Sequence, residues 1–243
     1  MNLGAIRLSA LAAALAATLI CAGCAATSRA PGVERSGFLG ADYELLRPGD
    51  DQQAQLRYLR PGVNWAGYRK VLLDPVTIWK GQESTGQGIS PQDEQMLANY
   101  FYSVIRGAFE KQGFKLVSAP EPESLRVQVA VTKANEANVA LNVVSTVVPQ
   151  LRLASSLDQL ATGKPAFVGE AQVEVKATDA FTGQLLAAGI DHRVGGKTLD
   201  ASTFQSWGDV EAMMRLWASH GVYNLCRLQG RTDCVAPASP QGG

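Results

Sequence analysis

The sequence predicts an α+β fold: a single domain with a mostly antiparallel sheet and two main helices packed on it. Three observations carry this. Two long segments alternate apolar and polar residues, two others repeat apolar residues at helical spacing, and the helical segments stand apart from the strand pairs. Hydrophobic residues make up 46% of the 243, and 22 basic residues balance 22 acidic ones, which excludes disorder throughout. An isoelectric point near 6.7 supplies no overall basic field for phosphates, so no nucleic-acid partner is expected.

Residues 1–23 read as a signal peptide. Arg7 is the sole charge before the Ala/Leu run from Leu8 to Ile20, an arrangement of n-region and h-region. The uncharged stretch from Leu8 to Ser28 spans 21 residues. A membrane helix is therefore weighed, although alanine adds little transfer free energy. Cys21-Ala22-Gly23-Cys24 resembles the lipobox of bacterial lipoproteins. The resemblance implies that the Cys24 thiol carries a diacylglycerol and becomes the first residue of the mature chain. With Ala25 next, it also implies sorting to the outer membrane. A plain signal peptide and an uncleaved anchor are the alternatives. Residues 24–35 then form the lipidated cysteine and a Ser/Pro/Gly-containing tether, whose last eleven residues reach about 36 Å when extended.

The domain proper is expected over residues 36–234. Arg47-Pro48-Gly49 and Arg60-Pro61-Gly62 are turn signals, and Tyr68 to Val76 reads as a buried strand. Gly81 to Ile89 is a polar loop. Ser90 as N-cap, Pro91 and Asp93 open a helix with Leu97, Phe101, Val104, Ile105 and Ala108 on one face, closed by Gly113. Phe114 to Val117 is a short strand, and Leu125 to Val131 a half-buried one. Asn138 to Leu160 forms an apolar connection. Ala166 to Thr178 alternates Phe167, Ala171, Val173 and Val175 against Glu170, Gln172, Glu174 and Lys176. A loop at Asp179 to Gly183 returns the chain through Gln184 to Val194. Ser206 precedes the final helix, with Val210, Met214, Trp217 and Leu225 on one stripe. The order is β-α-β-β-(apolar connection)-β-β-α. Residues 235–243 read as a disordered tail.

Cys226 and Cys234 fit a disulfide in an oxidising compartment, the alternative being two unpaired thiols. Closing so short a loop would stabilise by about 2.5 kcal/mol. Gly195-Gly196-Lys197-Thr198 looks like the end of a phosphate-binding loop, but Asp191 stands where that loop needs glycine, so no nucleotide is expected. Asp191-His192 could suggest a general base. Neighbouring strand residues point to opposite faces, however, and a solvent-facing strand histidine is the expected reading. His220 has no helical partner for a metal. No catalytic, cofactor or metal residue is therefore assigned. Val143, Val144, Val147 and Val148 form an uncharged β-branched run that either packs on the sheet or meets a partner or bilayer.

Several blocks together resemble one family. They include Ser36-Gly37-Phe38-Leu39, Asp74-Pro75-Val76 with Trp79, and Phe167-Val168-Gly169. Leu56-Arg57-Tyr58 with Pro61-Gly62, Trp65 and Tyr68, Val148-Pro149, Leu160-Ala161-Thr162-Gly163, Arg193-Val194-Gly195-Gly196-Lys197 and Trp207-Gly208-Asp209 complete the set. The chain is similar to the proteobacterial lipoproteins called domain of unknown function 3313, from about Ser36 to Leu225. That likeness implies an exported lipoprotein and supplies no catalytic residues. The expectation is an outer-membrane-anchored, periplasmic, non-enzymatic binding or interaction module. Its partners would be the membrane, through the lipid, and an envelope protein. The rival readings are an envelope hydrolase using Asp191, His192 or an acidic pair, and a subunit of an export or pore assembly.

Overall fold

A computed structural model describes residues 27–80, 89–136, 168–196 and 207–238. Nine strands of one sheet lie among them: β1 (Thr27–Arg29), β2 (Arg47–Pro48), β3 (Leu56–Leu59), β4 (Lys70–Leu73), β5 (Thr77–Ile78), β6 (Lys115–Leu116), β7 (Ser124–Asn135), β8 (Glu170–Asp179) and β9 (Leu185–Gly195). Two helices, α1 (Pro91–Lys111) and α2 (Gly208–Leu228), complete the α+β domain. The strand order is β2-β3-β9-β8-β7-β4-β6, with β1 also on β9 and β5 also on β7. The long β7-β8-β9 meander is antiparallel, whereas β4 and β5 run parallel to β7.

Local chemistry explains most boundaries. The Ser90 hydroxyl accepts from the Asp93 amide at 3.1 Å, and Gly113 at φ 72° ends α1 where a side chain would be strained. Buried Leu97, Phe101, Ile105 and Phe109 repeat every fourth residue and turn one face of α1 to the sheet. The strand expected from Tyr68 to Val76 is cut to β4. Asp74 still donates to the Val127 carbonyl, but Pro75 has no N–H to extend the ladder, and pairing resumes at β5. The cap of α2 is Trp207 in place of the expected Ser206, which lies outside the described residues. Val210 and Met214 are fully buried on its inner stripe.

The chief departure is at the N-terminus. Thr27–Arg29, inside the expected tether, pair with Gly195, Val194 and Arg193 of β9, and Ala30 is buried. From there the chain straps across the sheet face opposite the helices. Leu39, Tyr43 and Leu46 pack on Leu185, Ala188 and Ile190 in a second core. The polar face of β8, expected toward water, lies under this strap. The Gln172 amide donates to the Glu34 carbonyl and accepts from the Glu34 N–H, both at 2.8 Å. Fully buried Glu174 accepts from the Tyr43 hydroxyl at 2.7 Å and the Ser36 N–H at 3.1 Å. Polar groups placed exactly opposite backbone donors can be buried at little cost, so alternation marked the strand without revealing what covers its polar side.

At the other terminus Cys226 and Cys234 form a disulfide with Cα atoms 5.9 Å apart. Val235, first residue of the expected tail, is tied down: its N–H donates to Gln112 Oε1 at 2.9 Å and its carbonyl accepts from Gln112 Nε2 at 2.6 Å.

Candidate functional site: a cavity between sheet and helices

The helical face of the sheet is incompletely filled. Position by position, β9 offers Ala187, Gly189 and Asp191 toward the helices, while β3 places Leu59 opposite Ala187 and Arg57 opposite Gly189. Small residues here leave space that α2 does not occupy. The result is a cavity of about 850 Å³ between α1, α2 and the sheet. Its walls are apolar: Phe101, Ile105 and Phe109 of α1, Val127 and Val129 of β7, and Val175 of β8. Trp65 and Trp217 also line it. A cavity of this size and lining is typical of small-molecule sites, which run about 300–1,000 Å³.

The opening lies between the loop preceding β3 and the last turns of α2. Asn224 Nδ2 donates to the Gln52 carbonyl at 2.9 Å, joining α2 to that loop. The Arg29 guanidinium donates to the Asp50 and Gln53 carbonyls, so β1 braces the same loop from the far side. Arg57, His220 and Arg227 also line the cavity, with Arg227 exposed to solvent and the other two half-buried. Burial and the neighbouring Arg193 hold the His220 imidazole below its usual pKa, so it is neutral at pH 7.

Asp191 sits at the end of the cavity as a hub of hydrogen bonds. It accepts from Trp217 Nε1 and Arg193 Nε at 2.7 Å each, and from the Gln55 N–H at 3.0 Å. Its neighbour His192 points to the opposite face, as strand geometry requires. The expectation that His192 faces solvent is overturned, because the residue is 2% exposed beneath the strap. Its Nδ1 lies 3.1 Å from the Gly32 carbonyl and its Nε2 lies 3.6 Å from Glu170 Oε2. Lys133 adds a cation there. Burial disfavours its charge, but Glu34 and Glu170 outweigh burial and raise its pKa. The structure thus separates Asp191 from His192 instead of assembling them into a catalytic pair.

The glycine-rich blocks meet at one point for packing reasons. Asp209, in the first turn of α2, accepts from the Gly169 N–H at 2.8 Å, and the Gly169 carbonyl accepts from the Gly195 N–H at 2.8 Å. A Cβ at Gly195 would overlap the Asp209 carboxylate. This contact anchors α2 to β8 and β9. Cys226, Asp233 and Cys234 cluster within 4.8 Å as potential metal ligands, but both sulfurs are in the disulfide and Asp233 pairs with Arg231 at 2.8 Å. Cys24, Val143, Val144, Val147 and Val148 lie outside the described residues.

Sequence reading assigned no site role to Asn224 or Arg227, and it offered Arg57 only within a family block. The available signal was weak: the small-residue run Ala187-Ala188-Gly189 in a strand, which marks room for something on one face. No helix among the described residues is long and apolar enough to cross a membrane.

Fold and site together define an α+β domain with a ligand-sized apolar cavity. Over residues 34–220 the chain matches the family described as "Protein of unknown function (DUF3313)", and it belongs to that family. Among curated proteins none matches. Two solved structures superpose loosely. The PelC dodecamer from Paraburkholderia phytofirmans has 11% identity and a TM-score of 0.37, covering 68% of this chain and 93% of that one. A Xanthomonas campestris protein of family DUF330 has 14% identity and a TM-score of 0.37, covering 72% of this chain and 92% of that one.

Proposed function

We propose that this protein is a non-enzymatic binding module of the cell envelope, held at the outer membrane through a lipid on Cys24, that takes an apolar ligand between its sheet and helices. The cavity of about 850 Å³ carries the reading. Cavities lined by Phe, Val and Ile lose dispersion contacts on every wall, and a ligand restores them. The separation of Asp191 and His192 onto opposite faces supports a binding role over hydrolysis. The lipobox-like Cys21-Ala22-Gly23-Cys24 supports the membrane attachment.

The test uses N-phenylnaphthylamine, an uncharged apolar fluorophore, with the full chain carrying Cys24→Ser so that no detergent competes. Saturable fluorescence enhancement is expected, and Ala187→Leu, which fills the cavity from β9, should weaken it at least tenfold while the chain stays folded by circular dichroism. Absence of saturable binding, or binding unaltered in folded Ala187→Leu, overturns the proposal.

A further inference from the structure

We infer that the cavity's ligand is an anionic amphiphile, a hydrocarbon chain ending in a carboxylate or phosphate, with its head held by Arg57 and Arg227. This inference rests on the cavity being a binding site and adds what the site selects.

Three arginines, Arg57, Arg193 and Arg227, line the cavity beside three aspartates, Asp50, Asp51 and Asp191, and each aspartate is engaged by a partner other than Arg57 or Arg227. Asp191 and Arg193, both on the lining, pair with each other at 2.7 Å. Asp51 pairs with Arg29 at 3.6 Å. Asp50 is occupied within its own loop, accepting from the Gln52 N–H at 2.9 Å and from the Gln53 side chain. The guanidiniums of Arg57 and of exposed Arg227 have no hydrogen-bond or ion-pair partner among the described residues. Arg57 is half-buried, standing over Gly189 on the helical side of the sheet. An unpaired guanidinium on a partly desolvated wall calls for an anion, and its planar fork suits carboxylate and phosphate oxygens.

The two cations reach the same opening from opposite sides. Arg57 comes from β3, directly after the loop that Asn224 contacts through the Gln52 carbonyl. Arg227 lies three residues beyond Asn224, on the adjoining surface of α2. Neutral His220, one turn before Asn224, offers a further hydrogen bond. Apart from Asp191 and Arg193, which are matched to each other, the walls inward of these groups are mainly aliphatic or aromatic, so the unpaired cations stand at the mouth. The site therefore distinguishes two ends of its ligand: tail inside, anion at the rim.

Trp65 and Trp217 line the cavity and provide an intrinsic reporter. The full chain carrying Cys24→Ser is titrated with dibromostearic acid, whose bromines quench nearby indoles, and in parallel with its uncharged methyl ester and with dibromostearyl phosphate. Saturable quenching is expected with the acid and the phosphate, and at least tenfold weaker binding with the ester. Arg57→Ala and Arg227→Ala together should bring the acid to the ester's affinity while N-phenylnaphthylamine binding persists. Preference for one anion identifies the head group. Equal binding of acid and ester, or an unaltered acid affinity in the double variant, overturns the anionic assignment and leaves the apolar site standing. Quenching by none of the three, together with failure of the uncharged fluorophore, overturns both.

Discussion

Single residues here differ in what their surroundings demand. His192, mid-strand and under the strap, fills space and approaches the Gly32 carbonyl, so His192→Ala should destabilise the domain by about 1–3 kcal/mol in urea unfolding. A loss under 0.5 kcal/mol would mean the strap does not cover it. Gly195 faces a different constraint, the Asp209 carboxylate. Gly195→Ala alone should cost about 1–3 kcal/mol through overpacking, and far less in an Asp209→Ala background. Additive losses would refute that contact. Tyr68 tests the electrostatics. Burial and its hydrogen bond to Asp179, at 2.8 Å, push the phenol up to about 12 from 10.0. A folded pKa above the unfolded one stabilises below pH 10 and is lost as pH rises through about 12. Ultraviolet titration of Tyr68→Phe should lack the last-ionising tyrosinate.

Among elements, the strap and the C-terminal segment both carry sheet and helix edges that the central meander leaves open. The segment after α2 is held three ways: by the disulfide, by Gln112 against Val235, and by Arg231 Nη1 donating to the Gln112 carbonyl at 2.6 Å. Losing the disulfide through Cys234→Ser should therefore cost about 2.5 kcal/mol or somewhat less, because the other ties persist. Non-reducing mass spectrometry of the wild-type peptide should show the intact bond. The buried pairs of Glu174 with Tyr43 and Gln172 with Glu34 give the strap a register. Its polar partners must be matched one to one, which apolar packing alone would not impose.

At the scale of the whole molecule, Cys24 and Thr27 are separated only by Ala25 and Ala26, and three residues reach at most about 11 Å. If Cys24 bears the lipid, the β1 end of the sheet lies at the headgroups. Thr27 pairs with Gly195, and Glu170 pairs with both Val194 and Asn135, so the chain between β7 and β8 also leaves from that end. Phe181 marks the opposite end, beyond the ten residues of β8, about 30 Å away. With the lipidated protein in vesicles, a spin label at Glu136→Cys should sense the bilayer surface and one at Phe181→Cys should not. Equal signals would refute this orientation. Fatty-acid labelling lost in Cys24→Ser checks the anchor itself.

The α+β class, both helices, the β8-β9 hairpin and the disulfide were legible in the sequence. Each rests on local rules: a Ser90–Asp93 cap, period-two alternation, a close cysteine pair. Family membership was legible too, because its blocks are turn and packing residues that recur in order. Tertiary structure alone decided the rest. Thr27–Arg29 look like a linker because a three-residue edge strand has no period to detect. His192 and Glu174 look solvent-facing because a strand's polar side reveals nothing of a cover arriving from well over a hundred residues away. The cavity is an absence, made by Ala187 and Gly189 facing helices that do not reach them. Its unpaired Arg57 and Arg227 stand 170 positions apart and meet only once the sheet and α2 enclose the same space.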